Sequence, residues 1–196
     1  MSGDHASLPV AARVRRLEER LIEAGVTSDA ELDSAVADFL DQASPTNGAR
    51  VVARAWSSGA YRARLLGNAN TALHELGLSM GGGLQEQRLR VVENTPTEHN
   101  VVVCTLCSCY PLALLGPSPS WYKYEAYRSA VVRDPRAVLV EFGLHLDQDV
   151  QITVWDSSAE TRYMVLPQRP TGTDDWSEPE LAELVTREGL IGTSAV

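Results

Sequence analysis

The chain of 196 residues contains no apolar run near the roughly 20 residues that a membrane-spanning helix needs, so no span is expected. Its first residues, Met1-Ser2-Gly3-Asp4-His5, lack the basic and apolar regions of a secretory leader. Cysteine is scarce. Three residues, an odd number, cannot build a secreted disulfide framework and point to a reducing compartment. A cytoplasmic protein is the expectation. Positive charge is in deficit, with 17 Lys and Arg against 26 Asp and Glu and a formal net charge of −9. Nothing forms the basic stripe that a nucleic-acid backbone demands, and the dispersed acids read as a solvated surface. There is no internal repeat and no low-complexity segment.

Hydrophobic residues make up 44% of the chain, ordinary for a folded domain. Val10, Val14, Leu17 and Leu21 form one narrow apolar stripe, which predicts a helix over 9–24 stopped by Gly25. Such a helix packs either on a partner or on the chain's own core. Ser28 and Glu31 form a capping-box pattern ahead of a second helix that turns Leu32, Ala35, Val36, Phe39 and Leu40 inward. Ser44-Pro45-Thr46-Asn47-Gly48 is expected to break it. Further helices are predicted over 48–57, 59–66 and 70–76, closed by Gly77, and Gly81-Gly82-Gly83 reads as a linker or tight turn.

The texture then changes. Strands are predicted over 89–93, 100–103, 150–155 and 162–166, and helices over 125–132 and 135–142, the latter with Asp134 as N-cap. A last helix runs from Ser177 to about Glu188, with Gly189 as its stop. The expected fold class is α+β: a helical N-terminal arm that contacts a partner over 1–77, then a layered α/β domain over 78–196.

All three cysteines fall within six residues, Cys104-Thr105-Leu106-Cys107-Ser108-Cys109, directly after the β-branched run Val101-Val102-Val103. Core packing alone is a poor explanation for that clustering. A structural zinc site usually draws its four ligands from two knuckles, and no second cysteine pair exists; His99 is the one conceivable fourth ligand. An iron–sulfur cluster is also short of donors, and a thioredoxin-like pair would leave Cys109 idle. A further reading uses the tight spacing itself. Two sulfurs, from Cys107 and Cys109, and the backbone nitrogens of Ser108 and Cys109 can lie in one plane around a metal, with Cys104 capping it. That set suits a trivalent metal and leaves one position open for Lewis-acid chemistry.

Val103-Cys104-Thr105-Leu106-Cys107-Ser108-Cys109-Tyr110 resembles the metal-binding motif of nitrile hydratase α subunits. The likeness extends through Gly82-Gly83-Leu84-Gln85, Val92-Glu93-Asn94-Thr95, Tyr127-Arg128-Ser129 and Val131-Val132-Arg133-Asp134-Pro135-Arg136. It continues in Val154-Trp155-Asp156-Ser157-Ser158, Val165-Leu166-Pro167-Gln168-Arg169-Pro170 and Gly172-Thr173-Asp174.

The resemblance implies an α+β fold of that subunit type and hydration of a nitrile to its amide. Thr105 matches the cobalt form, so cobalt(III), one per chain, is implied ahead of iron(III). The implied metal ligands are Cys104, Cys107, Ser108 and Cys109, with Cys107 oxidised to a sulfinic acid and Cys109 to a sulfenic acid. Cys109, Ser108 and Gln85 are the implied catalytic residues, and either a water or the Cys109 sulfenate oxygen is the nucleophile. Asp156, Glu160, Arg162 and Tyr110 are expected to support the site, and His99 to be structural. Oxidised, anionic sulfurs need cationic donors, which the resemblance places on a β-type subunit, present as one or two chains. A metallochaperone activator is a further implied partner. Where many members carry a tryptophan after the Tyr-Pro pair, this chain has Leu112-Ala113-Leu114. The missing ring predicts room for a bulky, heteroaromatic nitrile, as in the biosynthetic toyocamycin branch. The rival readings are a thiocyanate hydrolase γ-type subunit and a non-catalytic metal-binding module.

Overall fold

The structure, a computed structural model, describes residues 9–81, 86–107 and 109–196, without the side chains of 39–42. The expected roles of Gln85 and Ser108, and the inward packing of Phe39 and Leu40, lie outside the described residues, whereas Ala35 and Val36, also expected to face inward, are exposed. The chain divides into two compact units, 1–41 and 42–196. In the first, α1 (Val10–Glu23) buries none of its residues, and Val10 is 71% exposed. Ser28 caps α2 (Asp29–Gln42): its Oγ accepts from Glu31 N at 3.3 Å and donates to Glu31 Oε2 at 3.0 Å.

The second unit opens on three helices, α3 (Pro45–Ser57), α4 (Gly59–Gly67) and α5 (Ala69–His74). α2 ends at Gln42, so the expected break is there, but the next helix starts at Pro45 and not at 48. The Ser44 side chain accepts from Thr46 N, and proline at the first helical position has no N–H to waste. Asn47-Gly48 is helical too. A Cβ on Gly48 would stand 2.6 Å from Leu190 Cδ1 and 2.9 Å from Leu114 O, so glycine serves close packing there.

Four strands follow: β1 (Arg88–Glu93), β2 (Glu98–Val103), β3 (Gln151–Asp156) and β4 (Thr161–Leu166). They form two parallel pairs, β1 with β4 and β2 with β3, in registers that set Val91 against Met164 and Val103 against Asp156. Between β2 and β3 lie α6 (Leu112–Leu115), a 3-10 turn at Ser120–Lys123, α7 (Glu125–Arg133) and α8 (Pro135–Glu141). Strand alternation sorts the apolar residues by face. Leu89, Val91, Val101, Val103, Met164 and Leu166 join Val51, Val52, Tyr61, Leu65 and Leu73 in one core, while Val92, Val102 and Val165 pack with Trp155 and Tyr163.

The predicted last helix is two: α9 (Glu178–Leu184) and α10 (Arg187–Ile191). Thr186 interrupts it by capping α10, its Oγ1 accepting from Gly189 N at 3.0 Å, so Gly189 lies inside a helix and Gly192 ends it. Gly192 has φ +89°, and a Cβ there would overlap the Asn100 carbonyl oxygen.

That junction carries a buried polar chain. His99 Nε2 donates to Gly192 O at 2.8 Å, and its Nδ1 accepts from Asn94 Nδ2 at 3.2 Å. Asn94 Oδ1 accepts from Asn100 N at 2.8 Å, and Asn100 Oδ1 accepts from Trp155 Nε1 at 2.7 Å. Both His99 nitrogens are thereby engaged, which removes it as a metal ligand. Burial pushes its pKa below the ordinary value, with the Gly192 hydrogen bond opposing. The neutral ring is the stable one, so this contribution to stability is whole above about pH 6.5 and is lost as pH falls toward the lower folded value. The urea midpoint is therefore expected to fall between about pH 7.5 and 5.5, and to fall less in His99→Gln. An identical pH slope in the two proteins would contradict this.

Candidate metal centre

The cysteine loop leaves the carboxyl end of β2. Parallel pairing puts the carboxyl end of β3, with Asp156, beside it. Cys104 is 1% exposed, whereas Cys107 is exposed and Leu106 is 88% exposed, so the loop is anchored at its start and open at its tip. The sulfurs converge: Cys104 Sγ lies 3.4 Å from Cys107 Sγ, and Cys107 Sγ lies 3.2 Å from Cys109 Sγ. All three lie within 4.8 Å of one another. Cys107 N also donates to Cys104 Sγ at 3.4 Å.

Three other side chains hold the loop backbone. Asp156 accepts from Thr105 N at 2.9 Å and from Thr105 Oγ1 at 2.5 Å. Arg128 Nη1 donates to Thr105 O at 3.2 Å and to Cys107 O at 3.3 Å. Tyr122 OH donates to Cys109 O at 3.0 Å, and burial raises its pKa far enough to keep it a donor. Burial, and then the Cys107 sulfur, push the Cys109 thiol up to about 12, partly opposed by the charge of Arg162. The pocket by itself favours a neutral Cys109 thiol. A cation that takes thiolates as ligands reverses that preference, so the donor set fits a transition metal. A cavity of about 670 Å³ between α3 and α9, lined by Ala49, Ala53, Leu76, Pro179 and Val185, includes none of the cysteines.

The profile of the family described as "Nitrile hydratase, alpha chain" matches residues 8–194. The chain belongs to the nitrile hydratase α-subunit family. It is 51% identical to the low-molecular-weight cobalt-containing nitrile hydratase subunit alpha of Rhodococcus rhodochrous, over 94% of this chain and 88% of that one. It is 44% identical to the thiocyanate hydrolase subunit gamma of Thiobacillus thioparus, over 91% of this chain and 76% of that one. Among solved structures, it superposes on a double mutant of the iron-type nitrile hydratase from Comamonas testosteroni Ni1 with a TM-score of 0.84 at 42% identity. That match covers 94% of this chain and 89% of the other. The expected α+β architecture, with helices first and a mixed α/β region after them, is the one observed, and the family is one of hydro-lyase subunits.

Within this nitrile hydratase α chain the expected supporting residues separate. Asp156 grips the loop directly. Arg162 is buried, donates from Nη1 to Ser158 O, and finds no partner for its Nε among the described residues. Glu160 accepts from Ser158 Oγ at 3.0 Å, on the turn between β3 and β4. Among the described residues the three form no ion pair with one another. Tyr110 is buried edge-on against Tyr122, with ring centroids 5.1 Å apart and its hydroxyl unpartnered. Burial raises its pKa, so it is a neutral phenol. From the sequence, Arg128 and Tyr122 have no assigned role, and Thr105 only that of marking the cobalt form. Their contacts run to backbone carbonyls or across strands, which residue patterns do not reveal.

No helix among the described residues is long and apolar enough to cross a membrane.

Proposed function

We propose that this chain is the metal-binding catalytic subunit of a cobalt-type nitrile hydratase, acting in the cytoplasm with a β-type subunit. The observation that carries the metal reading is the sulfur spacing. Sulfurs 3.4 and 3.2 Å apart could share one ion, and they stand closer than the roughly 3.8 Å of a tetrahedral zinc site with bonds of about 2.3 Å. Cys104, Cys107, Cys109 and the backbone nitrogens of Ser108 and Cys109 would hold the ion. Thr105 and the 51% identity to a cobalt-containing relative favour cobalt over iron. Bound there, the ion supplies Lewis acidity toward a nitrile or a water.

The chain's own residues do the rest. Asp156, Arg128 and Tyr122 fix the loop, and Arg162 offers positive charge beside Cys109. Cys107 is taken as the sulfinic and Cys109 as the sulfenic residue, their added oxygens providing acceptors and a basic oxygen facing substrate. Gln85 is assigned a hydrogen bond to substrate, and Tyr110 and Glu160 supporting roles. The open tip at Leu106 and Cys107 and the exposed stripe of α1 are surfaces that the β-type subunit covers, and residues 1–77 are proposed as the partner-contacting segment. An activator protein is proposed to deliver the cobalt. Leu112, in place of a ring, is proposed to admit a bulky heteroaromatic nitrile.

The test is an assay of the chain co-expressed with its partner and activator. Amide formation is expected from nitriles, faster per KM with a nitrile-bearing nucleoside than with acrylonitrile. Carbonyl sulfide release from thiocyanate without nitrile hydration would establish the thiocyanate hydrolase reading instead. A strong preference for acrylonitrile would sink the bulky-substrate assignment.

A further inference from the structure

The metal loop is held on one side by a cation that, among the described residues, forms no ion pair with an acid. Arg128 lies on α7, half-buried, and its Nη1 bridges the carbonyl oxygens of Thr105 and Cys107. Its Nε is buried without a partner, and no carboxylate among the described residues forms an ion pair with it. Keeping an unpaired guanidinium partly out of water is a poor way to gain stability. Arg133 on the same helix shows the ordinary alternative: it is exposed and caps Ser129 O of its own helix at 3.1 Å.

The two carbonyls flank Leu106, which is 88% exposed. Peptide units are planar, so fixing each oxygen fixes the orientation of its whole unit. With both oxygens held against α7, Cys107 N donates to Cys104 Sγ and the Cys107 sulfur stays between its two neighbours. A guanidinium suits this task because it is planar, permanently charged and forked, which a lysine is not.

We propose that Arg128 is a positioning residue of the metal loop, holding the Thr105 and Cys107 carbonyls so that the three sulfurs remain grouped for the ion; this rests on the metal reading given above. The groups that orient metal ligands typically govern about 10–100-fold of metal affinity. Arg128 is the clasp, and Asp156 works the other side of the same turn.

The test uses the co-expressed, cobalt-matured complex in wild-type, Arg128→Gln, Arg128→Lys and Arg133→Gln forms. Cobalt retention is measured against a competing chelator, alongside the sulfur-to-metal charge-transfer absorption and the melting temperature. Arg133→Gln is expected to match wild type. Arg128→Gln is expected to hold cobalt at least about tenfold more weakly, with a displaced absorption band in the fraction still loaded, and Arg128→Lys to fall between. A merely structural role would lower the melting temperature and leave the band in place, which overturns the proposal. So does wild-type cobalt retention with a wild-type band in both Arg128 variants. If Arg128→Gln does not fold, Arg128→Lys decides on the same two readouts. Wild-type protein that takes up no cobalt overturns the metal reading, and this inference with it.

Discussion

Cys107→Ser, made in the co-expressed complex, is expected to leave the protein folded, to empty it of cobalt and to lower nitrile hydration more than about 100-fold, beyond what changes around a metal site usually cost. Cys107 is the central sulfur, 3.4 Å from that of Cys104 and 3.2 Å from that of Cys109, so its loss removes both short sulfur–sulfur approaches at once. A serine hydroxyl is a harder donor and holds its proton far more tightly than a thiol, so it does not replace the missing ligand. Cys107 is also exposed, and its substitution opens no cavity in the core. Cys104, at 1% exposure, is the less clean choice, because its loss also disturbs packing at the end of β2. Metal per chain, amide formation and melting temperature are measured together. A Cys107→Ser protein with full cobalt and activity would contradict the assignment of the loop as the metal centre.

The second large effect concerns the fold that carries this loop. Gly192→Ala is expected to destabilise the protein by about 4 kcal/mol or more, a size reserved for a few mechanisms. Two costs combine. Gly192 has φ +89°, a conformation that L side chains rarely adopt. Its Cβ would also overlap the Asn100 carbonyl oxygen and stand 3.0 Å from Asn100 C and 3.1 Å from Val101 Cα. All three are backbone atoms at strand β2, which cannot yield as a flexible side chain can. The clash pushes on β2, the strand that runs directly into Cys104, and on the His99 hydrogen bond to Gly192 O. Gly143 provides the control. It has φ +84° with nothing within 4 Å of a built Cβ, so Gly143→Ala carries only the conformational cost of about 1–2 kcal/mol. Chemical denaturation of both variants separates strain from collision. Equal losses would show that β2 and α10 move apart freely.

The elements that could be read from the chain were those with local causes. The capping box at Ser28 and Glu31, the Asp134 cap with Pro135 behind it, and the β-branched strands each carry their signal within a few residues. The errors also have local causes. Ser44-Pro45 serves equally as a stop or a start, and only the packing of Gly48 against Leu114 and Leu190 shows which. Gly189 looked like a helix stop because the Thr186 cap that restarts the helix was unrecognised. Strand pairing was not predicted at all. β1 joins β4, more than 60 residues away in register, and no short-range pattern encodes that partnership. The site divides along the same line. The three sulfurs are adjacent in sequence, so they were evident, whereas Arg128 and Tyr122 reach the loop from 21 and 13 residues away through backbone carbonyls. Any donor of suitable reach could make such contacts, so the sequence does not single them out.

The most direct test of the account is mass spectrometry of the peptide spanning Cys104 to Cys109, with metal analysis, on complex matured alongside its partner and activator. The account predicts one cobalt per chain, two added oxygens on Cys107, one on Cys109 and none on Cys104. Stoichiometric zinc with three unmodified cysteines in the same material would contradict it.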